Sequence, residues 1–453
     1  MNTEQSRRNF IKTVAGTSAS LALAGTLQAS EKTTPVASAM PALKPMERVR
    51  AAFIGVGARG GDHVNRFMTV EGVDIVAIAD NYEPSLKAAV NNVKKAGRKE
   101  PAAYGRGDED YKRMLDRNDI DIVIIATPWE WHTRMCVDAM LAGKNAFTEV
   151  PAAVTLDECW QLVETSEKTK KSCMMMENCC YGREELFCLN LCRLGLLGEL
   201  LHGEAAYLHE LRGQMYEDKH GTGSWRTWHY AKRNGNLYPT HGLGPVAQYM
   251  GINRGDRFDY LSSVSSPALG RPEFAKAHFP PEHQWTKVKK WNCGDMCTTI
   301  IKTALGRTLM VQWNETTPRP YSRINLIEGT RGLYAGYTSR LVIEGVTPGG
   351  EPWTEGAKLE EFMTKYEHPL FKKQGELAVK HGGHGGMDWL MAWRMVYCLR
   401  NGLPLDQDVY DAAALSSVGP LSEKSIATRS TSVDVPDFTR GRWKTTPPLG
   451  IVS

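Results

Sequence analysis

A chain of 453 residues with 42% hydrophobic content can bury large cores, and its length alone implies two or three domains. The net charge of +4 is small for this size and no run of basic residues stands out, which excludes nucleic acid as an expected partner.

The N-terminus reads as an address rather than as fold. Ser6-Arg7-Arg8-Asn9-Phe10-Ile11-Lys12 is a twin-arginine signature, and the mild apolar run from Val14 to Leu27 is too short and too rich in Gly, Ser and Thr for a stable membrane span. Residues 1–45 are therefore expected to be a signal and linker, the twin-arginine export machinery to be a partner, and the periplasm to be the location. Cleavage after Ala29 and cleavage after Ala39 are both compatible with the residues, and a basic amphipathic helix is the plainer alternative. Twin-arginine export carries folded proteins, which suits an enzyme that must acquire a cofactor in the cytoplasm.

Val49-Arg50-Ala51-Ala52-Phe53-Ile54 then predicts a buried strand, followed at once by the G-x-G-x-x-G turn of Gly55, Gly57 and Gly60. Val73–Ala79 predicts the neighbouring strand, ending in Asp80 about 20 residues past the last glycine. In that context Gly55 permits the tight turn, Gly57 lets backbone approach a pyrophosphate, and Gly60 lets the next helix lie close to the sheet. The helix N-terminus offers unpaired N–H groups to the diphosphate, and Asp80 accepts from ribose hydroxyls while repelling a 2′-phosphate. NAD is therefore the expected cofactor.

Ile120–Ala126 is a further strand, stopped by Thr127-Pro128; Trp129 opens a helix through Met140; Asn145–Val150 is another strand, and Leu156–Thr169 another helix. Such a series means a parallel sheet with ligands at the carboxyl ends of its strands. The candidate cofactor contacts are thus Gly55, Gly57, Arg59, Gly60, Asp80, Trp129, Glu130, Trp131, His132, Glu149, Val150 and Asn178. Beyond residue 180, alternation around His202–Leu211, Thr298–Trp313 and Ile324–Ile327 predicts a largely antiparallel sheet, with loops in the stretches rich in Trp, Tyr, Gly and Arg. Helices are expected at about Met387–Asn401 and Val409–Ser425. The predicted class is α/β: a Rossmann domain over 46–178 and an α/β domain with an open, largely antiparallel sheet over 179–453.

Among the ten cysteines, Cys136, Cys159, Cys173, Cys188, Cys192 and Cys398 sit in apolar contexts, so buried free thiols are expected. Cys179-Cys180 and Cys293-x-x-x-Cys297 lack Cys or His partners at zinc spacing, and no metal site is expected.

Gly55-x-Gly57-x-x-Gly60, Ala126-Thr127-Pro128 with His132, and Glu149-Val150-Pro151 together resemble the Gfo/Idh/MocA-type oxidoreductases. The dehydrogenases of that group carry Glu-Lys-Pro in the third motif, with the lysine in the proton relay; Val150 stands there, which argues against plain alcohol dehydrogenation. Met176-Glu177-Asn178-Cys179-Cys180-Tyr181-Gly182 and Tyr238-Pro239-Thr240-His241-Gly242-Leu243-Gly244-Pro245 resemble glycoside hydrolase family 109, the NAD-dependent α-N-acetylgalactosaminidases, over nearly the whole chain. The resemblance implies a glycosidase acting on an α-N-acetylgalactosaminide, free or glycan-terminal, with retention. It also implies a sugar site of Tyr207, Arg226, Tyr238, Pro239, Thr240, His241 and Tyr321.

The chemistry is an exception to two-carboxylate hydrolysis. Oxidation at C3 by NAD acidifies the C2 proton, elimination expels the aglycone from C1, water adds, and C3 is reduced again. Such a route needs a base near C2 or the C3 hydroxyl and an acid near the leaving group. Tyr238 and His241, spaced i, i+3 beside a glycine-rich turn, are the catalytic candidates. Plainer roles stand beside these: His241 as the cap of a helix beginning near Pro245, Tyr238 and the other aromatic residues as core, Glu177 as a helix cap. The alternative function is a periplasmic sugar oxidoreductase with tightly bound NAD(P), and a non-catalytic sugar sensor stands behind it. A homo-oligomer is left open.

Overall fold

The computed structural model describes residues 44–348 and 352–451; the expected twin-arginine signature lies outside the described residues. The first sheet contains β1 (Val49–Ile54), β2 (Val73–Ala79), β3 (Ala102–Tyr104), β4 (Ile122–Ile125), β5 (Asn145–Thr148) and β6 (Cys173–Met175). They run parallel in the order β3-β2-β1-β4-β5-β6. The order reverses between β1 and β4, so the helices leaving these two strands lie on opposite sides and a crevice opens at their carboxyl ends. Strands covered on both faces read as unbroken apolar runs, and every residue of β4 is buried.

The second sheet joins β7 (Leu200–Leu208), β8 (Phe258–Ser265), β9 (Cys297–Thr303), β10 (Thr308–Asn314), β11 (Leu326–Gly329), β12 (Gly332–Ala335), β13 (Arg340–Ile343), β14 (Thr354–Glu355) and β15 (Val433–Asp434). Its order is β14-β13-β12-β11-β7-β10-β9-β8-β15, antiparallel except where β7 pairs with β10. The Thr298–Trp313 stretch is a hairpin, broken where Gly306 takes φ +87°. One face is packed by the helices Thr240–Tyr249 and Val409–Ala427, while the other exposes Tyr260, Val264 and Ile300. Among the described residues no helix is long and apolar enough to cross a membrane. All ten cysteines are free, and all but Cys192 are buried.

Two local expectations are corrected. Trp225–Lys232, expected as loop, is a helix that buries Thr227, Tyr230 and Ala231, a spacing that places them on one side. The stretch contains neither glycine nor proline to stop it. The helix expected to begin near Pro245 begins at Thr240 and contains Pro245. Pro245, past the first turn, removes the bond its own N–H would make to the His241 carbonyl and crowds that carbonyl with its ring. The helix lies hard against β7, since a Cβ at Gly242 would come within 2.3 Å of Ala206 N.

Candidate active site

A cleft of about 1280 Å³ runs from the crevice between β1 and β4 to the inner edge of the second sheet. At the first end the chain folds as glycine alone allows. Gly55 has φ +77°, and a Cβ on Gly60 would stand 1.8 Å from the Gly55 carbonyl oxygen, so the helix Ala58–Phe67 is seated directly on the turn. Asp80 accepts from Val56 N–H and Tyr82 N–H, each at 2.7 Å, one bond to each carboxylate oxygen. It therefore ties the turn to β2 as well as facing the cleft, where each oxygen keeps a lone pair for a hydroxyl. A left-handed glycine, close backbone and a fixed carboxylate at a helix N-terminus are what a dinucleotide requires, and these residues fit one.

The other residues expected at this end are distributed differently. Arg59, Glu149, Val150, Asn178, Trp129, Trp131 and His132 line the cleft; Gly60 and Glu130 do not. The Arg59 guanidinium is spent on Glu149 at 2.7 Å and on Asp388 at 2.9 and 3.1 Å. Glu149 also takes His63 at 2.6 Å, and Asn178 donates to Asp388 at 2.6 Å. Burial alone would raise the Glu149 carboxyl, but Arg59 and His63 hold it well below the usual carboxylate range. These side chains thus brace one another. His132 has both ring nitrogens at 2.7 Å from backbone carbonyls, of Pro151 and Thr127, and burial lowers its pKa. No ring nitrogen is left to move a proton. Glu130 is turned toward His229, 3.3 Å away. Tyr181 is fully buried and donates to Asp406, away from the cleft.

At the second end Tyr207, Arg226, Tyr238, His241 and Tyr321 converge, while Pro239 and Thr240 lie behind the wall. Tyr238 stacks on Trp129 with centroids 5.4 Å apart and meets the rings of Tyr207 and His241 at 5.0 Å each. Arg226 lies over Tyr238 at 4.6 Å and over Trp129 at 5.1 Å. Burial pushes the Tyr238 phenol above its ordinary value, with Arg226 pulling the other way. The guanidinium is the group that would favour a phenolate.

His241 faces Glu177, its Nδ1 2.8 Å from Oε1. Burial alone would raise the Glu177 carboxyl, yet His241 overrides this and the net shift is downward. A carboxylate accepting at Nδ1 leaves the lone pair of a neutral imidazole on Nε2. Glu177 also caps the short helical turn at Asn178 by accepting from Cys179 N–H, so the capping role read from the sequence is realised beside the contact with His241. Gly244 makes the approach: a Cβ there would sit 2.7 Å from Glu177 Cγ. The donor atoms of Glu177, Cys179 and His241 lie within 4.8 Å of one another, a cluster that spacing in the chain does not show.

Among the cleft residues that escaped the sequence reading, three meet at the corner of Tyr321. Arg323 donates to the Tyr321 hydroxyl at 3.0 Å, His209 meets the Tyr321 ring at 4.9 Å, and Tyr337 closes the same corner. The i, i+2 spacing of Tyr321 and Arg323 was the available signal, since alternate residues of extended chain share a side.

Residues 49–177 match the model of the oxidoreductase family with an NAD-binding Rossmann fold, and residues 181–445 match that of the glycosyl hydrolase 109 C-terminal domain. An alpha-N-acetylgalactosaminidase of Shewanella oneidensis is 54% identical over 453 residues, covering 98% of each chain. A glycosyl hydrolase family 109 protein 1 of Shewanella sp. strain ANA-3 is 58% identical over 407 residues, 90% of this chain and 88% of its own. Solved structures share the fold at low identity. An NAD binding oxidoreductase from Klebsiella pneumoniae superposes with TM-score 0.67 at 16% identity, covering 86% of this chain and all of its own. A levoglucosan dehydrogenase in complex with NADH gives 0.61 at 18%, covering 86% and 99%.

Proposed function

The chain belongs to glycoside hydrolase family 109, and from that premise we infer how its cleft cuts a glycosidic bond. It is an NAD-dependent glycosidase acting on α-N-acetylgalactosaminides with retention. The observation that carries this reading is the single cleft with the dinucleotide turn at one end and the Tyr238–His241 pair at the other. Bound there, the nicotinamide supplies reversible hydride transfer at C3 of the sugar.

The remaining work falls to the chain's own groups. Tyr238 and His241 are the proton carriers, one for the C2 proton and one for the C3 hydroxyl. Arg226 favours the anionic form of Tyr238, and Glu177 keeps Nε2 of His241 as an acceptor. Tyr321, exposed at this end, offers a flat face for the C–H surface of a sugar ring.

Direct hydrolysis would need a carboxylic acid kept protonated beside a second carboxylate. The acids lining the cleft are Asp80, Asp108, Glu149 and Asp218, and Glu149 is held ionised by Arg59. Asp80 is tied to the glycine turn. The alternative of a sugar oxidoreductase is disfavoured by the family and by Val150 in place of a relay lysine.

Hydrolysis of an α-N-acetylgalactosaminide in D₂O tests the route. The expected product is the α anomer, deuterated at C2 and retaining hydrogen at C3. A product without deuterium at C2 would overturn it.

We further propose export to the periplasm by the twin-arginine route, supported by Ser6–Lys12. Fractionation of cells with and without Arg7→Lys/Arg8→Lys tests it, and an undiminished periplasmic pool in the variant would reject it.

A further inference from the structure

The segment Glu217–Gly223 belongs to the second half of the chain but rests on the dinucleotide turn of the first. Ala58 N–H, at the N-terminus of the helix that follows the turn, donates to the Gly221 carbonyl at 3.1 Å. A Cβ on Gly57 would come within 2.3 Å of that same oxygen. Beside it, His220 Nε2 pairs with Asn81 Oδ1 at 2.7 Å, and its ring lies 5.2 Å from that of Tyr82. Asn81 and Tyr82 directly follow Asp80, so the segment spans from the diphosphate-binding turn to the ribose-binding acid.

The strap is internally built. Gly223 N–H donates to the Glu217 carboxylate at 2.7 Å, and Thr222 Oγ donates to the carbonyls of Glu217 and Lys219. Its other side is pinned by Gln284, which donates to Asp218 at 2.7 Å. Lys219, His220, Gly221 and Thr222 all line the cleft.

We propose that Glu217–Gly223 is a further part of the dinucleotide site and the gate for cofactor exchange, with Lys219 and His220 as cofactor-side residues. This rests on the NAD reading above. The N–H of Ala58 is among the donors a helix N-terminus offers to a diphosphate, and here the Gly221 carbonyl takes it. A dinucleotide whose diphosphate takes this N–H requires the strap to shift at Gly221. Gly221, at φ +79°, is the point at which the backbone can turn in this way. The anchors are exposed hydrogen bonds and one ring contact, individually weak, which suits a segment that must open. Lys219 adds a cation to the cleft wall on the strap that rests on this turn, a charge suited to a diphosphate.

The test uses full-length protein loaded with NADH, chased with excess NAD+, and follows the loss of bound-NADH fluorescence without any sugar present. His220→Ala and Asn81→Ala should each speed NADH dissociation about tenfold, and the double variant should do no more than either alone. Lys219→Ala should flatten the salt dependence of NADH association. Both anchor residues are at the surface, so unchanged melting is expected and confirms that the variants fold. Normal NADH binding with dissociation within twofold of the parent in both anchor variants would overturn the gate while leaving the cofactor reading intact. A parent chain that takes up no NADH would overturn both.

Discussion

At one end of the cleft the centre of the site is backbone, the turn between Ile54 and Gly60 with Asp80 beside it; at the other it is side chains gathered from β7, two helices and the loop at Tyr321. The first end is fixed by what glycine lacks, the second by what aromatic and titratable residues add. A backbone site tolerates changes of neighbouring side chains but no added Cβ, as the 1.8 Å approach at Gly60 makes plain. A side-chain site fails group by group. The two ends should consequently be separable by mutation, and the largest effect tests that first.

Truncating the proton carriers should stop turnover without emptying the cofactor end. His241→Ala and Tyr238→Phe are each expected to lower kcat by about 10² to 10⁴-fold, with bound NAD unchanged when the protein is denatured and the nucleotide assayed. Near-normal kcat in both variants would move the base elsewhere. Loss of NAD in either would break the separation of the two ends.

That asymmetry also explains what could be read from the chain. The parallel sheet and its turn were legible because every determinant is local: an apolar run, three glycines and an acid within one strand–helix–strand unit. The pairing of Tyr238 with His241 was legible for the same reason, being i, i+3. Glu177 was visible as a helix cap, but its partner was not, since His241 reaches it only after the helix Thr240–Tyr249 packs on β7. Arg59, Glu149, Asn178 and Asp388 show the limit most clearly. Three of them follow strands of the first sheet and look like cofactor contacts, yet Asp388, far along the chain, engages Arg59 in ion pairs and accepts from Asn178. Spacing along a sequence carries no information about such a partner. The helix Trp225–Lys232 was missed because aromatic crowding was taken for loop, although the stretch has no residue to break a helix.

An intermediate effect is expected at Glu177. Glu177→Gln keeps the shape but replaces an acceptor-only carboxylate with an amide, so the tautomer of His241 is no longer dictated. A fall in kcat of about 10²-fold is expected, with bound NAD unchanged, because the carboxylate that accepts at Nδ1 and keeps Nε2 as the acceptor is gone. A kcat near the parent's would mean that Glu177 only caps its turn.

At the cofactor end the matching change is smaller. Asp80→Ala removes the acceptor for Val56 and Tyr82 N–H and for the ribose, and should weaken NADH binding about tenfold while kcat at saturating cofactor stays near the parent's. Titration of NADH fluorescence reads the first quantity and steady-state assays the second. Unchanged binding would remove Asp80 from the cofactor site.

The smallest effect concerns the brace between the ends and follows from its charges. Burial alone would raise the Asp388 carboxyl, but His384 and Arg59 hold it far below the ordinary range, as Arg59 and His63 hold Glu149. A carboxyl whose folded pKa lies below its unfolded value adds stability that is fully present above the unfolded value, near 4, and is lost as pH falls through the window beneath it. Parent protein should therefore lose stability steeply below about pH 4. Asp388→Asn removes one of these two groups and leaves Arg59 still paired with Glu149. The variant should be less stable than the parent at neutral pH, and the difference should shrink as the pH is lowered. Urea unfolding at a series of pH values measures both curves. Parallel curves would show that the Asp388 ion pairs add no pH-dependent stability, and the brace would then be a matter of packing rather than charge.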